Sequence, residues 1–145
     1  MQTQIKLRVS VIGLFIKADK VLMIHQMTDP EPDCWDLPGG GLQPGEPLLD
    51  SLKREVKEET GLIEFQVERL LTVIEGFFPK SQGRLLHTLS IIYQCVIERE
   101  PDVYTSDDPE IGSKGIQWIP FAELTPDLCS TRTWKALQAA GLIET

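Results

Sequence analysis

Three glutamates stand close together in the segment "REVKEETG" at residues 54–61, where a predicted amphipathic helix approaches its end. A helix carries partial negative charge at its C-terminus, so an acidic side chain there costs roughly 0.3–1 kcal/mol. Glu55 and Glu59 are also four residues apart, and like charges at that spacing repel by about 0.2–0.5 kcal/mol. Glu58 lies between them. The three carboxylates are therefore unfavourable for the helix unless a positively charged ligand offsets them.

The helix is predicted to begin at Pro47 and to end at Gly61, since proline suits the first helical position and glycine the residue after the last turn. Each residue advances about 100° around the axis. An apolar stripe that should face the core is formed by Leu48, Leu49, Leu52 and Val56. The three glutamates fall on an arc of roughly 100° beside that stripe. We expect them to lie together at the edge of the core, partly desolvated.

Grouped carboxylates next to a backbone carbonyl are suitable ligands for Mg²⁺, and one carboxylate can remain free to accept a proton from water. The six residues "REVKEE" alone also fit a solvated helix face. The preceding loop "PGGGLQPGE" at 38–46 favours the functional interpretation. Glycine loses the most conformational freedom on folding, so a glycine run before a helix suggests that the backbone must approach a ligand or metal closely.

These residues resemble the sequence signature of the Nudix family. Gly40, Glu46 and the segment 54–62, "REVKEETGL", match every position of the pattern G-x5-E-x7-R-E-U-x-E-E-x-G-U, in which U is a bulky aliphatic residue. The flanking "WDLPGGG" (35–41) and "IQWIPFAEL" (116–124) are also similar to family members. The resemblance does not extend to the parts of the chain that would select a substrate.

The resemblance implies an α/β/α sandwich that hydrolyses a nucleoside diphosphate linked to another moiety with Mg²⁺ or Mn²⁺. Glu58, Glu59 and the backbone carbonyl of Gly39 would be metal ligands, and Glu55 a ligand or the general base. Arg54 would orient the acidic cluster through an ion pair. Water would attack phosphorus and release a nucleoside monophosphate and the phosphorylated second moiety.

Two features near the cluster follow from the same resemblance. The ion-pair partner of Arg54 would be Glu46 or Glu55. Family members often add an acidic metal ligand or base from a late loop, and Glu110 is the candidate here, followed by Asp107 and Asp108.

Other candidate residues could bind the substrate. Trp35 precedes the glycine run and could stack on a base, although core packing is the favoured interpretation. Phe78, beside Phe77, could form a substrate wall, and Arg84 could hold a phosphate across the predicted hairpin turn. An ordinary turn is the favoured explanation of this last group. His25 and His87 are interpreted as core or surface residues because they lack the spacing of metal ligands.

The remaining patterns predict a single domain over residues 1–145, with a mostly antiparallel or mixed sheet between helices. Strands are expected at 5–17, 21–27, 34–37, 64–77, 84–99 and 116–120, with a closing helix at 131–141. The first strand is expected to be buried on both sides, and the glycine run is expected to end the short strand before it. Residues 28–33 and 100–115 are predicted to be loops.

Composition limits the possible partners. The net charge of −8 disfavours long nucleic acids, and no apolar run is long enough to span a membrane. Three cysteines without C-x-x-C spacing favour a reducing, cytoplasmic location. The partner expected is a small nucleotide diphosphate derivative, and the expected oligomeric state is a monomer or a homodimer.

The favoured function is therefore a nucleotide pyrophosphohydrolase, with a MutT-like action on nucleoside triphosphates as the first substrate class. An ADP-ribose or other nucleotide-sugar hydrolase and a dinucleoside polyphosphate hydrolase are alternatives. A non-catalytic regulator is less favoured because every box carboxylate is present, and an isoprenoid diphosphate isomerase because no suitable cysteine motif is found.

Overall fold

The computed structural model describes residues 4–144. Strands β1 (Gln4–Lys17) and β2 (Lys20–Gln26) are followed by two short strands, β3 (Cys34–Asp36) and β4 (Gly39–Gly41). Helix α1 (Leu48–Thr60) precedes the long hairpin of β5 (Glu64–Pro79) and β6 (Arg84–Arg99). Strand β7 (Ile111–Pro120) leads through two 3₁₀ turns (Phe121–Glu123 and Pro126–Leu128) to α2 (Thr131–Ala139). None of the helices among residues 4–144 is long and apolar enough to cross a membrane.

The sheet is mixed, because β1 runs parallel to β6 while the other strand pairs are antiparallel. The strand order is β3-β2-β1-β6-β5, and β4 pairs with β1 and β7 with β2. The parallel contact joins strands that are distant in the chain, whereas β5 and β6 form a local hairpin. The predicted mixed sheet between helices is confirmed.

Side chains of the central strands point alternately to the two faces of the sheet and form two hydrophobic cores. Val11 and Phe15 of β1 face α1, where they pack with Leu52 and Val56. Ile12 and Leu14 face the opposite side, where they pack in a second cluster that includes Ala136 and Leu137 of α2. Successive side chains of a strand point to opposite faces, so one buried strand supplies both layers of the sandwich.

Helix α1 ends where predicted but begins one residue later, at Leu48, and it has a narrower apolar face. Pro47 precedes it, and Gly61 follows in the left-handed conformation with φ of 80°. Leu52 and Val56 are buried, but Leu49 is 44% exposed. The expectation that Leu49 faces the core was wrong, because it lies at the far edge of the stripe in the first turn, away from β1.

Three strand predictions need correction. The first strand is buried on both faces only at residues 10–15, and residues 4–8 are exposed. The glycine run does not end a strand but forms β4, because its backbone pairs with residues 10–12 of β1. Strand β7 begins at Ile111 and not at 116, since Ile111 pairs with Gln26 before a bulge in β2.

A buried polar network fixes the start of α2 to β3. Asp36 is 3% exposed. Its carboxylate accepts hydrogen bonds from the hydroxyls of Ser130 and Thr133 and from Nε and Nη2 of Arg132, at 2.8–3.2 Å. Ser130 is also the N-cap of the helix and accepts a bond from the Thr133 amide. The contact joins residues about a hundred positions apart and sets where α2 begins.

Replacement of Asp36 should strongly destabilise the protein. In Asp36→Ala the Arg132 guanidinium, whose side chain is 25% exposed, loses its carboxylate partner. Breaking one side of a buried pair typically costs about 3–5 kcal/mol, and the partial exposure of Arg132 places the expected loss near the lower end. Urea unfolding measures it. Asp102→Ala, at an exposed loop position, is the matched control and should stay within about 0.5 kcal/mol of the parent; equal losses in both variants would contradict the assignment.

The same network predicts an acid-dependent loss of stability. Burial alone would raise the pKa of Asp36, but Arg132 and the two hydroxyls hold it below its ordinary value of 3.8. A depressed native pKa stabilises the fold above the ordinary value, and this contribution is lost as the pH falls through the native pKa. The stability difference between the parent and Asp36→Ala should therefore shrink between about pH 6 and about pH 3. Urea unfolding at both pH values tests this, and a difference that grows on acidification would refute it.

Candidate functional site

Strand β4 allows helix α1 to approach the sheet closely. Gly39 has φ of +149°, and a Cβ there would lie 2.3 Å from the carbonyl oxygen of Val11. A Cβ on Gly40 would lie 2.3 Å from a carboxylate oxygen of Glu55. A side chain is therefore excluded at the two glycines for different reasons. Gly39 lies against the backbone of β1, and Gly40 leaves room for Glu55 of helix α1.

The hydrogen-bond register of β4 determines where the Gly39 carbonyl points. The Gly13 amide donates to the carbonyl of Pro38, and the Leu42 amide donates to that of Val9, both at 2.8 Å. In an antiparallel pair, hydrogen-bonded and non-hydrogen-bonded residues alternate. Gly39 therefore occupies a non-hydrogen-bonded position. Its carbonyl points away from β1, as does that of Gly41, which accepts a 3.2 Å bond from Nη2 of Arg54.

Arg54 holds the acidic residues together. Its guanidinium makes two bonds to Glu46, at 2.7 and 3.0 Å, and one to Glu55 at 2.9 Å. A longer contact of 3.5 Å reaches Glu58. Both ion pairs expected of Arg54 are present. The bonds from Arg54 are the main reason that the pKa of Glu46 is lowered to about 2.

The three helix glutamates have different environments. Glu59 is 9% exposed. Burial, together with the negative charges of Asp36, Glu55 and Asp108, raises its pKa to about 9. Burial also raises the pKa of Glu55, although Arg54 opposes the shift. The Glu58 side chain is 49% exposed. Partial desolvation, expected for all three, applies to Glu55 and Glu59 but not to Glu58.

The carboxylates do not converge on one point. Glu55 and Glu58 turn toward Arg54, while Glu59 lines a cavity together with the glycines of β4. Within residues 4–144 no three His, Cys, Asp or Glu side chains are close enough to hold a metal ion together as they stand. The guanidinium explains this arrangement, because it attracts two of the three carboxylates.

The late loop is fixed to the C-terminal end of α1 by backbone contacts. The amides of Thr105 and Asp107 donate to the carbonyls of Thr60 and Glu58, at 3.1 and 2.7 Å. Asp108 then faces the cavity lined by Glu59. Glu110 is exposed and is not part of the cavity lining. Of the late-loop acids, Asp108 therefore lies near the cluster. Glu110, two residues further along the chain, lies outside the cavity.

The cavity, of about 230 Å³, lies between β4, the β5–β6 hairpin and the start of α2. Its Lys and Arg residues are Arg8 and Arg132. Six acidic residues also line it: Asp29, Glu31, Asp36, Glu59, Glu75 and Asp108. A polyphosphate would be repelled by this lining unless it brought cations with it. The acidic lining and the oxygen donors fit a hard divalent cation.

The predicted substrate-binding residues are separated by the fold. Phe78 lines the cavity. Trp35 packs against the core cluster on the α2 side, which agrees with the core packing favoured for it. Arg84 lies at the hairpin turn, where it contacts Ser81, and is outside this cavity. His25 is buried and bonds Asp33, and His87 is half-buried and bonds Glu75, both at 2.8 Å.

Among the charged residues of the cavity that sequence reasoning missed, Asp36 and Arg132 form the buried pair. Asp36 stands within the "WDLPGGG" segment, so its position beside the glycine run was the available signal. No local pattern marks Arg132, because it reaches the site only through the long-range contact with Asp36.

A family model described as "NUDIX domain" matches residues 6–139. The nucleoside triphosphatase NudI of Escherichia coli O81 is 34% identical over 147 aligned positions, which cover 92% of this chain and 97% of that protein. An ADP-ribose pyrophosphatase of Methanocaldococcus jannaschii is 38% identical over 59% of this chain, and a human 8-oxo-dGDP phosphatase, NUDT18, is 41% identical over 54%. The aligned parts are 48% and 27% of these two proteins, so the chain spans half or less of their lengths.

Solved structures show the same fold. The crystal structure of a MutT NUDIX hydrolase from Burkholderia pseudomallei superposes with a TM-score of 0.72 at 24% identity, over 92% of this chain and 98% of that one. Because the family model also spans most of the 145 residues, the chain belongs to the NUDIX domain family.

Proposed function

We propose that this chain uses Mg²⁺ or Mn²⁺ to hydrolyse a phosphoanhydride bond in a nucleoside diphosphate linked to another moiety. The observation that carries the proposal is the buried Glu59 carboxylate between helix α1 and the cavity, with only acidic groups raising its pKa alongside burial. A carboxyl group buried among acidic groups resists ionisation, and a bound cation would offset the cost of its negative charge. Family membership and the pyrophosphatase and triphosphatase relatives support a hydrolase of this class.

The residues present fit a divalent metal. Glu55, Glu58, Glu59 and the Gly39 carbonyl would supply the ligands. Glu58 is half-exposed and only 3.5 Å from Arg54, so its side chain can turn toward the site at little cost. A bound dication would offset the charge of the diphosphate and make a nearby water more acidic.

Arg54 has an orienting role in this proposal. Its two bonds to Glu46 and its bond to the Gly41 carbonyl fix the guanidinium. The fixed guanidinium then holds Glu55 against the glycine strand. Glu46 thus acts through Arg54, not on the substrate.

The reaction proceeds by attack of water on phosphorus. The water oxygen forms a bond to one phosphorus, the bond to the bridging oxygen breaks, and the water proton passes to a carboxylate. The products are a nucleoside monophosphate and the phosphorylated second moiety. Glu55 is assigned jointly as ligand or base, and Asp108 replaces Glu110 as the candidate acid from the late loop.

Nucleoside triphosphates are the substrate class that we favour. The NudI relative, named a nucleoside triphosphatase, aligns over nearly the full length of both chains. ADP-ribose is the second candidate, because the archaeal relative is named an ADP-ribose pyrophosphatase. Phe78 in the cavity wall offers an aromatic face to the base or sugar in either case.

Loss of the Glu58 carboxylate should reduce turnover. Glu58→Gln keeps the shape but removes a charged ligand, and we expect kcat to fall by about 10²–10⁴-fold. Turnover is measured on a panel of nucleoside triphosphates, ADP-ribose and dinucleoside polyphosphates with Mg²⁺, by phosphate release after phosphatase coupling. Glu68→Gln, at an exposed position of β5, is the control with the same charge change. Turnover of Glu58→Gln within tenfold of the parent on every substrate would show that the assignment is wrong.

Mg²⁺ should stabilise the protein through Glu59. At a concentration ten times the dissociation constant, binding adds about 1.4 kcal/mol, which raises Tm by roughly 3–6 °C in a chain of this size. In Glu59→Gln the increase should disappear, while the variant in EDTA should be at least as stable as the parent because folding no longer has to protonate a buried carboxylate. Thermal unfolding followed by circular dichroism measures both effects. A parent whose Tm is the same in Mg²⁺ and EDTA argues against the metal site.

A further inference from the structure

A second cavity, of about 520 Å³, adjoins the acidic one along the sheet. Four basic residues line it: Lys6, Arg8, Lys80 and Arg84. Asp29 is the single acidic residue of its lining. Arg8 and Asp29 also line the first cavity, so the two are neighbours and not separate depressions. We call the second one the basic cavity.

The basic cavity departs from the charge balance of the chain. The protein has 14 Lys and Arg against 22 Asp and Glu and a net charge of −8. The first cavity has six acidic residues for two arginines, whereas the basic cavity has four cations for one acid. None of the ion pairs formed among residues 4–144 involves these four cationic side chains. Their positive charge is therefore available to a ligand.

The register of β1 and β6 explains why basic side chains extend from the first cavity into the basic cavity. In the parallel pairing of β1 with β6, Ser10 lies opposite Ser90, and further along Gln4 lies opposite Arg84. Every second residue of a strand faces the same side. Arg8 and Lys6 therefore follow Ser10, a residue of the first cavity, on one face. At about 3.3 Å per residue, the face extends roughly 20 Å from Ser10 to Gln4.

The hairpin turn places the other two cations beside this face. The Lys80 amide donates a 2.8 Å bond to the Arg84 carbonyl, which closes the turn. The Arg84 guanidinium is held by the carbonyl and hydroxyl of Ser81, at 3.2 and 3.1 Å from Nε and Nη2. Arg84 is thus partly ordered before any ligand arrives, and less side-chain entropy is lost on binding.

We propose that the basic cavity binds a phosphate group carried by the end of the substrate remote from the scissile diphosphate. Guanidinium and ammonium groups are the usual partners of phosphate, and the volume suits part of a small molecule. The inference rests on the proposed function, because it assumes that the diphosphate occupies the acidic cavity with its metal. Among the nucleotide substrates proposed above, it predicts a preference for derivatives that carry an additional, distal phosphate.

The first experiment tests anion binding without turnover. Tripolyphosphate is titrated calorimetrically into the protein in EDTA. The Lys80→Gln/Arg84→Gln variant should bind at least tenfold more weakly than the parent. Lys20→Gln/Lys135→Gln, which makes the same charge change at exposed positions away from the cavity, should bind like the parent. Lys6→Gln/Lys80→Gln is the second variant, because it leaves the contact of Arg84 with the turn intact. No binding by the parent, or equal binding by all variants, overturns the inference.

The second experiment tests use of the cavity in catalysis. Coenzyme A is compared with dephospho-coenzyme A, and 2′-phospho-ADP-ribose with ADP-ribose, because the members of each pair differ by one phosphate remote from the diphosphate. The parent should prefer the phosphorylated member of at least one pair by tenfold or more in kcat/KM. Lys80→Gln/Arg84→Gln should remove the preference by raising KM with kcat unchanged, and the control should retain it.

The two failures are distinguishable. If the parent cleaves these or other nucleotides but treats both members of each pair alike, the inference is overturned and the hydrolase assignment stands. If the parent cleaves no nucleotide with Mg²⁺, the proposed function fails and the substrate assignment falls with it. The tripolyphosphate titration still decides whether the cavity binds anions.

Discussion

The contact between Arg54 and its acceptors is the interaction on which the geometry of the site depends. One guanidinium bonds Glu46 before the helix, Glu55 on it, and the carbonyl of Gly41 in β4. Three segments that need not otherwise meet are thereby fixed to one planar group. The bidentate bond to Glu46 has the directional character that makes arginine different from lysine in such positions. The absence of a side chain on Gly40 completes the arrangement, because any Cβ would displace Glu55.

Local signals predicted the parts of the structure that local chemistry determines. The ends of α1 followed from Pro47 and Gly61, and the central strands from their apolar runs. Strand β4 was missed because three glycines have no strand preference of their own, and only pairing with β1 makes them a strand. Leu49 was misplaced because periodicity gives the direction of a stripe but not the width of the surface that covers it.

The site was predictable to the same extent. The helix glutamates and Arg54 could be predicted as site residues because their spacing matches a pattern within a single segment, and their roles stay a prediction. Asp108 was ranked behind Glu110 because the path of the late loop depends on hydrogen bonds to α1 that leave no trace in the sequence. Arg132 was missed because its place depends on Asp36, 96 residues earlier. Long-range contacts, not residue types, account for each difference.

The late loop is attached to α1 through its own backbone, since the amides of Thr105 and Asp107 are the groups that meet the helix carbonyls. The side chains at these two positions can therefore differ between related sequences while the two hydrogen bonds to the helix are kept. Proline is the exception, because it has no amide hydrogen to donate. Substitutions elsewhere in the loop can reshape the mouth of the cavity while its anchorage to the acidic helix is preserved.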